Sequence, residues 1–266
     1  MNEKLEKLLE QFDKNEENQK LLNLYESKNY REVIAEIKKT NEKVGGKELV
    51  LHLPCITGNY KEMNKKILII GQEVDGWRKI KDNPKDAMLD TLDISIKPPK
   101  HKPKHPRPFN AFSRKFCETV NKECKSKFPI SWASANIRKF SYNKVSPKSR
   151  TPKIPLNDEV QNLIDKEFNI LKDEIKIINP DIVLFLTGPD YDDYIKVQLN
   201  GVKFHKLENS DYEKRQFARV EHEVLPKKSF RIYHPNAFRQ GSVIKKLGRR
   251  HLYKEFLKRL VEECKK

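Results

Sequence analysis

Two acids and a histidine stand where chemistry could be done. The stretch "KKILIIGQEVDGW", Lys65 to Trp77, runs four apolar residues into Gly71 and then delivers Glu73 and Asp75 two positions apart. Far along the chain, "YHPNAFRQG" sets His234, Pro235 and Asn236 on a turn, with Phe238 and Arg239 behind them. Paired carboxylates could hold a metal ion for cleavage of a DNA strand. A carboxylate and a histidine could instead stabilise opposite charges across a breaking bond. The same residues suit plainer roles: Glu73 can hydrogen-bond a loop, and His234 can be satisfied by backbone at a turn.

Each candidate follows a short apolar run, so strands must position them. "KILII", "ISWASANI", "PDIVLFLTG" and "SFRIYHP" are predicted strands, the first stopping at Gly71. "LNDEVQNLIDKEFNILKDEIKIIN" reads as one helix capped by Asn157 or Asp158, and "SVIKKLGRRHLYKEFLKRLVEEC" as the last helix. Strands alternating with helices predict a three-layer α/β domain with a central, mainly parallel four-stranded sheet, whose ligand sites lie at the carboxyl ends of strands. Before it, "LEKLLEQF" and "NYREVIAEIKK" predict two helices separated by the polar "DKNEENQK". The glycines of "KVGGKE" put a boundary near residue 45, giving an N-terminal helical segment, 1–45, and an α/β domain, 46–266.

Charge narrows the partners. The 266 residues carry a formal charge of +17, an excess that favours a polyanion or an anionic surface. Residues 1–50 hold 10 basic and 11 acidic residues, so the first helices are not the polyanion face. Residues 226–266 hold 13 basic and 3 acidic residues and carry more than half of the excess. "IKPPKHKPKHPRPF", Ile96 to Phe109, is a second basic, Pro-rich stretch, either a solvated loop or one ordered by a phosphate backbone. No apolar run is long enough to span a bilayer, and Met1 is not followed by a signal core, so a soluble cytoplasmic protein, a monomer, is expected. Cys55, Cys117, Cys124 and Cys264 have no metal-ligand spacing and are expected to be reduced thiols.

In order, the chain offers "GQEVDG", "RPFNAF", "SANIRKF", "SRTPKIPLNDE", "EIKIINPDIVLFLTG" and "HPNAFR". The series resembles the uracil-DNA glycosylase superfamily over about residues 66 to 260, with the thermophile-type branch nearest. There the motifs read G-E-x-P-G, P-F, T-N-x-x-K, R-x-P, P-x-x-x-x-L-G and H-P-S. That branch binds an iron-sulfur cluster through cysteines, one directly after the Lys of T-N-x-x-K. Here Phe140 follows Lys139 and "VQNLIDKEF" has no Cys, so neither a cluster nor any other cofactor or metal is expected.

The resemblance implies base flipping and N-glycosidic cleavage with DNA as partner, single- or double-stranded. Such cleavage builds positive charge on the sugar and negative charge on the departing base. Glu73 would orient water and stabilise the sugar, with Asp75 the competing carboxylate, and His234 would donate to the pyrimidine O2. Gly71 and Gln72 would add amides to that oxygen, Phe109 would be the stacking platform, and Asn136 would read the base edge. Phe238 would enter the groove. Asn236, Arg239, Lys245, Lys246, Arg249 and Arg250 would lie along the DNA, although the last helix's basic residues also suit a solvated face.

Classical members exclude thymine with a Tyr two residues after the catalytic Asp; this chain has Asp75 there, followed by Gly76. The missing gate, with Asp75, Trp77 and Lys79 able to contact a substituent, points to a C5-modified pyrimidine. A hypermodified phage cytosine excised as antiviral defence fits that reading better than uracil repair. Two alternatives stand beside it: a catalytically silent DNA-binding protein, and a metal-dependent nuclease using Glu73 and Asp75.

Overall fold

The computed structural model describes residues 3–57, 59–74, 79–96, 108–127, 132–143, 155–208, 210–235 and 249–265. Three helices come first, α1 (Glu3–Asp13), α2 (Glu16–Ser27) and α3 (Tyr30–Lys43), where two were expected. The stretch taken as a polar spacer mostly belongs to α2. Asn15 caps it, its side chain accepting from the Glu17 amide, and Asn18 reaches inward to bond the backbone of Ile56 in both directions. Polarity misled because these asparagines satisfy buried backbone rather than water.

A short strand β1 (Leu49–Leu51) pairs antiparallel with β4 (Phe140–Tyr142). The main sheet contains β2 (Ile67–Glu73), β3 (Ala133–Arg138), β5 (Ile182–Phe185), β6 (Lys203–Lys206), β7 (Phe217–Glu221) and β8 (Lys228–Ile232), in the order β3-β2-β5-β8-β7-β6. The first four in that order run parallel, and β7 and β6 extend them antiparallel, so the sheet has six strands rather than four. The parallel strands were legible because Ile67 to Ile70 and Ile182 to Phe185 are buried on both faces, giving continuous apolar runs. The edge strand β6, "KFHK", is half-buried to exposed throughout and has no such run.

Helices cover both faces. On one, Leu68 and Ile70 share an apolar cluster with Phe12, Tyr25, Ile34, Val160, Phe168 and Ile175. It draws on α1 to α3, α4 (Pro84–Ile96), α6 (Asp158–Glu167), α7 (Leu171–Ile178) and α8 (Asp192–Gln198). On the other, Ile67 and Ile69 pack with Phe112, Phe116, Phe256 and Leu260 of α5 (Pro108–Glu123) and α9 (Arg249–Lys265). The N-terminal helices therefore share the core of the α/β layer.

Two sequence expectations need correction. The single helix over residues 157–178 is two, α6 and α7, with Asn157 capping the first as expected. Phe168, Ile170 and Leu171 are all fully buried, more apolar contact within four positions than one face of a straight helix offers, and Phe168 meets both Tyr30 and Phe140. Second, β2 does not stop at Gly71: it remains paired with β3 out to Glu73 opposite Arg138. The four cysteines are free, three of them buried. No described helix is long and apolar enough to cross a membrane.

Candidate active site at the strand ends

The carboxyl ends of β2, β3 and β8 and the start of α5 bring four of the expected residues together. Gly71 stands opposite Asn136 in the β2–β3 register. A Cβ at Gly71 would lie 2.5 Å from Asn136 Oδ1 and 3.3 Å from the ring of Phe109, so any larger residue must displace the Asn136 amide. The Phe109 ring stacks on His234, with centroids 5.9 Å apart and planes at 20°. Phe109, Asn136 and His234 are all half-buried, so this cluster reaches the surface. Among the described residues the Asn136 amide makes no hydrogen bond. A carboxamide placed beside an aromatic ring with donors and acceptor unengaged is suited to recognising a planar polar ring.

Glu73 lies two residues beyond Gly71 on the same strand. Arg138 Nη1 is 3.7 Å from Glu73 Oε2, and both side chains are nearly closed to water, at 9% and 12% exposure. Burial first, then the charge of nearby Glu73, pushes the Tyr191 phenol well above its ordinary range. Arg138 is itself fixed. Its Nε donates to Gln161 Oε1 at 3.1 Å, Nη2 bonds the same oxygen, and its guanidinium lies 5.0 Å over the Tyr194 ring.

The loop after β5 ties these parts together. Gln72 donates through Nε2 to the Thr187 carbonyl at 2.7 Å, so its side-chain amide is engaged by protein. Gly188 takes φ +73°, a conformation that favours glycine, and its N–H donates to the Ile232 carbonyl at the end of β8. Tyr191 lies only three residues later, so the turn bonded to β8 also carries the tyrosine whose phenol feels the charge of Glu73.

Asp75, Trp77, Asn236, Phe238, Arg239, Lys245 and Lys246 lie outside the described residues, as do the side chains of Arg249 and Arg250 at the start of α9. Lys79, expected near a base substituent, is instead 2.5 Å from Glu48, on an exposed pair next to β1. Sequence reasoning missed Arg138, Gln161, Tyr191 and Tyr194. Arg138 was within reach, since strand alternation puts it on the same face as Asn136 two residues earlier. Gln161, Tyr191 and Tyr194 had no signal, because helix and turn packing bring them in from segments 23 or more residues away. Among the described residues no group of three or more His, Cys, Asp and Glu could hold a metal ion. Compared with models of protein families and with curated proteins, the chain matches none.

Proposed function

We propose that this chain is a monofunctional DNA glycosylase that flips out and excises a pyrimidine, favouring one modified at C5, and leaves an abasic site. The observation that carries the reading is the meeting of Gly71, Phe109, Asn136 and His234, from four separate segments, at the ends of parallel strands. Those are the side-chain types a flipped base requires: a ring to lie against, an unengaged amide to read its edge, and a donor for its carbonyl.

As the N-glycosidic bond breaks, its electron pair leaves with the base and the sugar C1′ becomes cationic. His234 donates a hydrogen bond to O2 of the departing base, where negative charge grows. The Glu73 carboxylate stabilises the cationic sugar and orients the water whose oxygen bonds to C1′; that water's proton passes to solvent, and the base is reprotonated. The net charge of +17 supplies attraction to the phosphate backbone, and binding should weaken steeply with salt. Asp75 and Gly76, in place of an excluding aromatic, are what favour a C5 substituent over uracil.

The test is mass spectrometry of bases released from a panel of uracil-containing, natural and phage-modified DNAs, single- and double-stranded. Free modified base and alkali-labile sites are expected, with losses on the order of a hundredfold or more for Glu73→Gln, His234→Ala and Asn136→Ala. Release of uracil alone would make it a repair enzyme. No release from any DNA would leave a binding protein, and chelator-sensitive strand cuts without alkali would mean a metal-dependent nuclease.

A further inference from the structure

We infer that Arg138 is the positioning residue for Glu73, clamping its carboxylate through a relay that begins at Asp165 and Gln161; this rests on the glycosylase reading above. The relay can be followed atom by atom. Gln161 Nε2 donates to Asp165 Oδ1 at 2.8 Å, which fixes the amide so that its oxygen faces Arg138. That oxygen accepts from both Nε and Nη2 of Arg138, which leaves Nη1 directed to Glu73. Tyr194 covers the guanidinium plane, so the arginine is held in rotation as well as in position.

A glutamate at a strand end has three rotatable side-chain bonds and would sample many orientations. A carboxylate that must face both a sugar and a water gains from being held before substrate arrives. Arginine suits that task because its fork is planar and permanently charged, so it can take a fixed amide on one edge and a carboxylate on another. Lysine would provide the charge without the plane. Burial of both partners makes the clamp effective, since at 9% and 12% exposure solvent competes little for either. Arg138 touches neither base nor sugar in this account; it acts through Glu73.

The test is a double-variant cycle on the full chain. Arg138→Gln should lower kcat on the order of a hundredfold with KM nearly unchanged, and Arg138→Lys should recover only part of it. Because Arg138 acts through Glu73, the Glu73→Gln/Arg138→Gln double variant should be no slower than Glu73→Gln alone. Gln161→Met keeps both charges and removes only the anchor, so it reports on the relay if Arg138→Gln folds poorly; a tenfold loss of kcat is expected. Multiplying losses in the double variant, a change confined to KM, or full activity in Gln161→Met would overturn the inference. An active Glu73→Gln would instead remove the catalytic reading on which it stands, and wild-type base release separates the two failures.

Discussion

Arg138 and Lys139 are neighbours in sequence, and each ends in an ion pair with a glutamate, yet the two pairs have little else in common. Arg138 meets Glu73 at the rim of the strand ends, beside residues that reach the surface. Lys139 turns to the opposite side, where its Nζ bonds Glu174 with both side chains closed to water. Tyr25, from the N-terminal helices, donates to the other oxygen of Glu174 at 3.0 Å. Burial opposes the charged form of both Lys139 and Glu174, and only their mutual attraction and hydrogen bonds offset it. The inner pair is structural, because Lys139, Glu174 and Tyr25 are all closed to water and bond one another; the outer pair stands beside an amide left unengaged. Charge and burial alone do not mark a site.

Breaking the inner pair should have the largest effect on folding. Lys139→Ala leaves the Glu174 carboxylate buried without its cation, and a loss of about 3–5 kcal/mol is expected in urea denaturation. Replacing both partners, as Lys139→Met with Glu174→Leu, should recover most of that loss, because apolar groups of similar volume tolerate the same burial. A single variant within about 1 kcal/mol of wild type would mean the pair behaves like an exposed one, and the contrast with Arg138 would collapse.

Gly71→Ala probes the outer region with the opposite signature. The added methyl falls 2.5 Å from Asn136 Oδ1, at the end of a side chain that can rotate away, so folding should suffer little. On the proposed reading, base release should fall by about a hundredfold, worth about 2.7 kcal/mol at the transition state, because the amide that moves is the one assigned to the base edge. A large drop in Tm with activity per folded molecule intact would reassign Gly71 to packing.

Much of this was legible in the sequence. The continuous apolar runs expose the parallel strands, and motif order groups Gly71, Phe109, Asn136 and His234 as candidates that the fold brings together. What escaped depends on contacts that have no local period. The split at Phe168 arises from two aromatic partners 138 and 28 positions away in sequence, Tyr30 and Phe140. The edge strand β6 is half-buried to exposed and its polar residues read as loop, while β7 interrupts its buried Phe217, Ala218 and Val220 with exposed Arg219 and Glu221 and so shows no continuous apolar run. The relay behind Glu73 joins a strand, a helix and a turn through single side chains, and nothing in "QNLID" distinguishes Gln161 from any solvated glutamine.

His52 extends the comparison to pH. It is buried beside Lys139, its backbone N–H donating to the Lys139 carbonyl, and burial first, then that lysine's charge, pushes its imidazole down to about 3. The unfolded chain takes up this proton below about 6.5, whereas the folded chain holds His52 neutral until about 3. The contribution is therefore complete above pH 6.5, and stability declines by about 1.4 kcal/mol per unit as the pH falls toward 3. His52→Gln should flatten this slope between pH 6.5 and 5; an unchanged slope would show that other groups dominate acid unfolding.

The finest cut sets two tyrosines against each other, since each stands beside one of the two glutamates. Tyr25→Phe removes the donor to Glu174 in a fully buried setting, and a loss of about 1–2 kcal/mol of stability is expected with base release per folded molecule unchanged. Tyr191→Phe removes the hydroxyl beside Glu73 from a half-buried 3₁₀ turn, where the carboxylate keeps Arg138 as partner. Its folding should shift by less than about 1 kcal/mol, while kcat falls several-fold because Glu73 loses a polar neighbour. Measuring Tm and single-turnover base release on both variants gives a crossed pattern if the two pairs have separate roles. Parallel losses in both measurements, for both tyrosines, would mean that the strand-end glutamate is held for stability as the buried one is.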